Sequence, residues 1–283
     1  MLEPVGLVNA HMECRYLKET VPVLTDLLAF EKVAERSSEV VLKHPNSEWV
    51  LVVHEGGADA APKQMHNHFG VRVATRREVD AAYEYLMSRK DTYGLKQIGK
   101  PLYNHGSYSL YFLEPGTNGW EIECYEDVLR KDSGWKRMGG VYSPPWATPM
   151  PAQRFPGKGY VPQAFTHGTL ASGNSEISRN FYTDVLGLET HPLNDRVVYI
   201  KHAATKGYIV SAFREQYKNY SFNFRFTLAM ESREAVFEAH RRLADEGERV
   251  GVTVLGELRS AGPSASFFIR DPDNNWWEIS SLN

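Results

Sequence analysis

The sequence has few cysteines, no excess of basic charge and no long hydrophobic run. Cys14 and Cys124 are the two cysteines among 283 residues, which is too few for a disulfide framework and fits a reducing cytoplasm. A formal net charge of −3 argues against the basic surface of a nucleic-acid-binding protein. No run of about 18 apolar residues occurs, so no membrane-spanning helix is predicted. The first residues lack the pattern of a signal peptide. We therefore expect a cytoplasmic globular protein that binds neither nucleic acid nor membrane.

The sequence does contain an internal duplication. LLAFE at 27–31 resembles VLGLE at 185–189, and EPGTNGWEIE at 114–123 resembles DPDNNWWEIS at 271–280. The segment around His11 resembles the segment around His167. The offsets are 158, 157 and 156 residues, and this near-constancy predicts two copies of one domain. A proline-rich stretch separates the copies, which predicts domains at 1–126 and 161–283 joined by a linker at 127–160.

Each copy shows a strand, an amphipathic helix and further strands, and this order occurs twice. In the first copy a strand is predicted over 5–11 and a helix over 16–29. A second helix is predicted over 76–89, with Thr75 and Glu78 as a capping box at its start. The pattern predicts an α+β fold built from four βαβββ modules.

Three side chains with metal-binding chemistry occupy matching places in this pattern. His11 ends the first predicted strand, His68 begins the first strand of the second module, and Glu121 lies in the last strand of that module. Two imidazoles and one carboxylate form the facial triad of non-haem iron oxygenases, which leaves coordination positions open for substrate and O₂. We therefore predict a metal site formed by His11, His68 and Glu121.

With these residues in place, the chain resembles the vicinal oxygen chelate superfamily, and its first half resembles the type I extradiol ring-cleaving dioxygenases. The fold resemblance covers almost the whole chain and implies two tandem vicinal oxygen chelate domains. The catalytic resemblance covers residues 5–125 and implies Fe(II) as the cofactor, with Mn(II) accepted by the same ligands.

The resemblance also implies three catalytic residues. His54 corresponds to the histidine that stabilises the oxygen species and then delivers a proton. Tyr111, ten residues before Glu121, corresponds to the tyrosine that hydrogen-bonds the substrate oxygen, and His105 corresponds to a further histidine near that oxygen. The motif that carries this match consists of His105, Leu110, Tyr111, Glu114, Pro115 and Glu121.

The resemblance implies Fe(II)- and O₂-dependent meta-cleavage of a catechol-type aromatic to a ring-opened semialdehyde. The implied partners are an aromatic diol and O₂, and the implied assembly is a homo-oligomer. Trp49, Trp120 and Tyr103 are candidates for an aromatic pocket or for the core. Two alternatives stay open, namely a metal-dependent isomerase, epimerase or lyase of the same fold, and an aromatic-binding protein of the resistance type.

The second copy is predicted to be degenerate, with His167 and Glu278 as relics of a metal site. Asn223, Val210 and Phe268 are assigned there to the positions of His68, His54 and Tyr111. An exchange of modules between the domains is the alternative, in which His167 replaces His11 as the third ligand. The long linker and the presence of His54 beside His11 favour the unexchanged form. The remaining histidines are predicted to be surface or structural: His44, His66, His191, His202 and His240.

Overall fold

The computed structural model describes residues 2–60, 67–127, 138–216 and 220–282. The backbone divides into two compact units: unit 1 is Met1–His11 with Leu170–Asn283, and unit 2 is Met12–Thr169. Two strands contribute residues to both units, β1 (Gly6–Cys14) and β9 (Ala164–Ser172). The domain limits predicted from the duplication, 1–126, 127–160 and 161–283, stay a prediction. His66 and residues 128–137 lie outside the described residues.

Unit 2 contains the two helices predicted in the first copy, α1 (Leu17–Leu28) and α2 (Arg76–Arg89). Thr75 and Glu78 form the predicted capping box at the start of α2, and the buried side of this helix carries apolar residues at helical spacing. The strands of unit 2 are β2 (Glu31–Arg36), β3 (Glu39–Lys43), β4 (Val50–Glu55), β5 (His68–Arg72), β6 (Leu102–Asn104), β7 (Ser107–Leu113) and β8 (Gly119–Cys124).

Five strand segments of unit 2 lie side by side in the order β9-β5-β8-β7-β6. β5 is parallel to β8, whereas the pairs β5–β9, β7–β8 and β6–β7 are antiparallel. β5 and β8 are buried along their whole length, as expected for central strands. Trp49 and Trp120 are 1% and 0% exposed and belong to the core, while Tyr103 is 58% exposed.

Unit 1 repeats the design. Its helices are α3 (Ser175–Asn180) and α4 (Arg233–Glu246). Its strands are β10 (Glu189–Asn194), β11 (Val197–Lys201), β12 (Tyr208–Phe213), β13 (Arg225–Met230), β14 (Val254–Leu255), β15 (Arg259–Ala261), β16 (Ser264–Arg270) and β17 (Trp276–Ser281). β13 is parallel to β17 and antiparallel to β1, as β5 is to β8 and β9. The predicted α+β fold of four βαβββ modules is confirmed.

The strand pairing shows that the modules exchange partners between the two copies. The first strand of the chain, β1, pairs with β13 of the fourth module, and β9 of the third module pairs with β5 of the second. This pairing corrects the unexchanged arrangement that the sequence favours. The presence of His54 beside His11 carries no information on pairing, because the two residues belong to one module in either arrangement.

Described residues between 2 and 282 include no helix that is long and apolar enough to cross a membrane. Residues 138–160 form turns and a single 3₁₀ turn at Ala152–Arg154.

Candidate metal centre

Three metal-binding side chains converge in unit 2 where β9, β5 and β8 run side by side. Gly70 of β5 lies opposite Glu121 of β8 on one side and opposite His167 of β9 on the other. His68 lies two residues before Gly70 and therefore on the same face of β5. The strand register thus brings His68, Glu121 and His167 together.

The spacing of the three side chains fits a single metal ion. His68 Nε2 and His167 Nε2 lie 3.1 and 3.2 Å from Glu121 Oε2, and one donor atom from each residue lies within 4.8 Å of the others. Ligands at right angles around an ion, with bonds of about 2.1 Å, lie about 3 Å apart. All three residues are buried, so the donor set is shielded from water. Two imidazoles and one carboxylate suit a first-row divalent ion.

The absence of a side chain at Gly70 makes room for this arrangement. A Cβ atom at position 70 would lie 2.0 Å from Cε1 and 2.6 Å from Nε2 of the His167 ring. The ring therefore occupies the space above the backbone of β5, and it reaches across to Glu121. This is a close approach that only glycine permits.

The charges in the centre stabilise one another. Burial raises the pKa of Glu121, but the hydrogen bonds from His167 and His68 outweigh it and hold that pKa well below its usual range. Burial lowers the pKa of His167, yet Glu123 and Glu121 together raise it to about 9. The carboxylate is therefore paired with a proton on His167 when no other cation is present. Metal binding would replace that proton, as it does at other imidazole ligands.

Tyr111 and His105 are joined to the donor set by hydrogen bonds. The Tyr111 hydroxyl donates a hydrogen bond of 2.7 Å to Glu121 Oε1, and His105 Nε2 lies 3.1 Å from the Tyr111 hydroxyl oxygen. Since the Tyr111 hydrogen points to Glu121, its oxygen accepts the hydrogen of His105 Nε2. Burial and the charge of Glu121 raise the pKa of Tyr111 far above its usual value. Their catalytic roles stay a prediction.

His11 and His54 lie elsewhere in the fold. His11 belongs to unit 1, where its Nε2 is 3.1 Å from Thr227 Oγ1 and 3.5 Å from Glu278 Oε2. The third member of the His68–Glu121 cluster is His167, because β5 pairs with β9 and not with β1. His54 lies in β4, with Nδ1 3.5 Å from Glu39 Oε2, and is not a member of the cluster.

The strand registers give the correspondence between the two copies. Glu121 pairs with Gly70, and Glu278 pairs with Thr227 in the same parallel geometry. The positions that correspond in unit 2 and unit 1 are His68 and Arg225, Gly70 and Thr227, Glu121 and Glu278, Tyr111 and Phe268, His167 and Asn9, and Thr169 and His11.

Two sequence-based assignments were therefore out of register by two residues. Arg225, and not Asn223, takes the position of His68. Ala212, and not Val210, takes the position of His54, because the hairpins β2–β3–β4 and β10–β11–β12 match at an offset of 158 residues. The assignment of Phe268 to the position of Tyr111 is confirmed. The same offset, visible in LLAFE and VLGLE, aligns His167 with Asn9 and could have separated His167 from His11.

Comparisons with known proteins agree with this architecture. Residues 164–279 match the family model described as the Glyoxalase/Bleomycin resistance protein/Dioxygenase superfamily. That segment contains His167 but neither His68 nor Glu121. A comparison with curated proteins gave no match.

Solved structures extend the likeness to both copies. The chain is similar to a "putative dioxygenase" from Bacillus subtilis subsp. subtilis str. 168, with a TM-score of 0.65 and 11% identity over 99% of this chain and 86% of that chain. It is also similar to glyoxalase I from Zea mays, with a TM-score of 0.66 and 14% identity over 98% of this chain and 92% of that chain. These likenesses show that the chain has the two-domain vicinal oxygen chelate fold.

Proposed function

We propose that this protein is a metal-dependent dioxygenase that opens the ring of a catechol-type aromatic by extradiol cleavage. The observation that carries the proposal is the hydrogen-bonded series from His105 through Tyr111 to Glu121, beside a buried set of two histidines and one glutamate. A donor set of this kind leaves coordination positions open for a chelating substrate and O₂. The series adds a proton donor and an acceptor at the edge of the same site.

His68, Glu121 and His167 are the residues that would hold the ion. The vicinal oxygens of the substrate would chelate an Fe(II) ion held there, which would supply Lewis-acid chemistry that lowers their pKa values and a redox centre for O₂. Mn(II) accepts the same donor set. This reading replaces the predicted ligand His11 by His167 and keeps the predicted ligands His68 and Glu121.

Tyr111 is suited to donate a hydrogen bond to a substrate oxygen. Burial and the charge of Glu121 raise its pKa, so the hydroxyl keeps its hydrogen at neutral pH. In the absence of substrate this hydrogen is directed to Glu121 Oε1. When a substrate oxygen lies beside Glu121, the hydroxyl can turn to that oxygen and stabilise its negative charge.

His105 is suited to accept and return a proton. Its Nδ1 is buried and has no hydrogen-bond partner among the described residues, while its Nε2 contacts Tyr111. The backbone of His105 is left-handed, with a φ of 33°, which is uncommon for a residue other than glycine and costs free energy. An imidazole nitrogen without a hydrogen-bond partner can accept a proton and return it.

The resemblance assigns proton delivery to His54, but the contacts favour a different assignment. Tyr111 contacts the donor set directly and His105 contacts Tyr111, whereas His54 Nδ1 lies 3.5 Å from Glu39 Oε2 and His54 is not a member of the metal-binding cluster. We therefore assign the proton transfers of ring cleavage to Tyr111 and His105. His54→Phe is expected to keep most of the turnover.

Oxygen uptake tests the proposal. The protein is loaded with Fe(II) under anaerobic conditions and mixed with O₂ and a panel of catechols and hydroquinones. Uptake that matches the formation of a yellow ring-opened product supports extradiol cleavage, and Glu121→Gln serves as the inactive control. Tyr111→Phe should lower kcat by roughly 10²-fold or more while iron content is unchanged. Bound iron without oxygen uptake across the panel would contradict the proposal.

A metal-dependent lyase or isomerase is the second candidate, and one observation favours it. The third module, which contributes His167, has Ala212 at the position that His54 takes in the first module. The third module therefore lacks the histidine that the dioxygenase resemblance expects there. Turnover of a substrate with vicinal oxygens in the absence of O₂ would support this candidate. Binding of an aromatic compound without turnover would instead support the aromatic-binding alternative.

A further inference from the structure

A chain of buried polar side chains lies behind His167, on the side away from Glu121. Thr166 Oγ1 is 3.1 Å from His167 Nδ1 and 3.0 Å from Glu123 Oε1. Arg72 donates two hydrogen bonds to the same carboxylate oxygen, from Nη2 at 2.8 Å and from Nε at 3.1 Å. Arg72, Glu123, Thr166 and His167 are all at most 3% exposed.

The hydrogen-bond partners fix the direction of this chain. A threonine hydroxyl has one hydrogen, and Thr166 has two acceptors for it, the Gly70 carbonyl oxygen and Glu123 Oε1. Toward His167 Nδ1 the hydroxyl oxygen must therefore act as an acceptor. It follows that Nδ1 carries a hydrogen, so Nε2, which faces Glu121 at 3.2 Å, is the nitrogen that would bind an ion once its own proton has left.

We propose that Glu123 is a positioning residue of the metal centre, which acts through Thr166 to hold His167 in the tautomer and ring orientation required for binding through Nε2. The proposal rests on the metal site of the proposed function, but it does not depend on which reaction the metal supports. Outer carboxylates that hydrogen-bond a ligand imidazole, directly or through one group, orient it and increase its basicity.

Arg72 explains how a second carboxylate can lie so close to the centre. Glu123 is two residues from Glu121 on the same strand face, and an unpaired buried carboxylate there would be costly. Arg72 neutralises it and also donates from Nη1 to the carbonyl oxygens of Val141 and Ser143, at 3.1 and 2.8 Å. The guanidinium is thus held on two sides, which keeps the Glu123 carboxylate in one place.

Among its described residues, unit 1 has no counterpart of this series of hydrogen-bonded side chains, as expected if the series serves the metal site. By the registers of the strand pairs, Ser280, Ala229 and Val8 occupy the positions of Glu123, Arg72 and Thr166. A carboxylate with a purely architectural task is kept in both copies: Glu114 and Asp271 each accept backbone N–H groups in the turn before the last strand. The hydrogen-bonded series that contains Glu123 therefore occurs only in the unit that has the candidate ligands, and the shared fold does not require it.

Metal affinity of the full-length chain tests the proposal without reference to turnover. Dissociation constants for Mn(II) and Co(II) are measured by competition with a chelator, together with the visible spectrum of the Co(II) form. Glu123→Gln is expected to weaken binding of both ions by about 10- to 100-fold and to change the Co(II) spectrum. Thr166→Val leaves the Arg72–Glu123 pair intact, and a weakening in the same direction is expected even if Glu123→Gln does not fold.

Glu114→Gln is the matched control, because it removes a carboxylate of equal burial in the same unit, whose hydrogen bonds among the described residues go to Thr20, Gly116 and Asn118. It should lower the melting temperature and leave both dissociation constants unchanged. Unchanged affinity in Thr166→Val and in folded Glu123→Gln would overturn the proposal, and so would an equal loss in Glu114→Gln. A wild-type chain that binds neither ion would overturn the metal site itself, and with it both proposals.

Discussion

The carboxylates at one corresponding position of the two units, the buried Glu121 and the half-buried Glu278, have different partners. In unit 2, Glu121 is paired with the imidazoles of His68 and His167. In unit 1, Glu278 is paired with Arg225, whose Nε lies 3.0 Å from Oε2. A buried carboxylate requires a positive partner, and a permanently charged guanidinium meets that need without a metal ion. Arg225 therefore forms an internal ion pair at the position that His68 takes in the candidate metal centre.

Architectural histidines behave differently from ligand histidines in this comparison. His44 of unit 2 and His202 of unit 1 correspond at the offset of 158 residues, and each makes the same contacts. Their Nε2 atoms lie 3.1 and 2.9 Å from the carbonyl oxygens of Pro162 and Pro4, and their Nδ1 atoms accept from the backbone two residues later. Both were predicted to be surface or structural. The two units thus share the histidines that shape a turn, whereas the positions of His68 and His167 are Arg225 and Asn9 in unit 1.

The largest expected effect is on metal binding, and it distinguishes Glu121 from Glu278. Glu121→Gln should weaken metal binding by more than about 100-fold, because it removes the charged ligand, whereas Glu278→Gln should leave metal content unchanged. Metal content after dialysis, measured by atomic emission, checks this. One ion per chain is expected in the wild type. A fall in metal content in Glu278→Gln would show that unit 1 also holds a metal.

A smaller effect on metal binding is expected when the space above Gly70 is filled. Gly70→Ala would place a methyl group 2.0 Å from the His167 ring, so the ring must move away from Glu121. We expect about 10-fold or greater loss of metal affinity and a destabilisation of about 1–3 kcal/mol. Gly6→Ala is the matched strand glycine, since its added Cβ would meet its nearest atom at an ordinary 3.4 Å. Equal affinities in the two variants would contradict the role assigned to Gly70.

The comparison also predicts how a second site could be rebuilt. Asn9→His and Arg225→His restore the two imidazoles around Glu278, and Thr227→Gly restores the space that Gly70 provides in unit 2. The triple variant is expected to bind a second ion, more weakly than the first because unit 1 lacks the hydrogen-bonded series that contains Glu123. The double variant without Thr227→Gly should bind one ion, the number expected for the wild type. Isothermal titration with Mn(II) measures the stoichiometry, and a value of one for the triple variant would show that the register assignment is incomplete.

The fold was predictable because the duplication and the helix signals are local. The capping box at Thr75 and the repeated turn sequence before Glu121 and Glu278 each depend on neighbouring residues, and the structure confirms the four modules they predict. Which first strand pairs with β5 is a long-range choice. It depends on the packing of strands more than 90 residues apart, and no local pattern in the sequence encodes it.

The part of the candidate site that lies within one module was predictable from the sequence, and the part contributed by another module was not. His68, Glu121, Tyr111 and His105 come from a single module, and the structure brings them together. The third candidate ligand comes from another module, and for this position the sequence analysis predicted His11, whereas the structure has His167. A register two residues out of place made His11 the apparent equivalent of His167. A histidine that is shared by two copies is therefore a weaker signal than a constant offset between them.

No effect on metal binding, but a pH-dependent effect on stability, is expected from the carboxylate that unit 1 keeps in the turn before its last strand. Burial raises the pKa of Asp271 from 3.8 to about 6. A carboxyl group whose pKa is higher in the folded state binds more protons there, so stability falls as the pH rises through about 4 to 6. The loss amounts to roughly 3 kcal/mol at most. Asp271→Asn cannot titrate, so the stability advantage of the wild type over this variant should shrink by that amount between pH 4 and pH 7. Urea unfolding at both pH values measures it, and an advantage independent of pH would show that the Asp271 pKa is the same in the folded and unfolded chains.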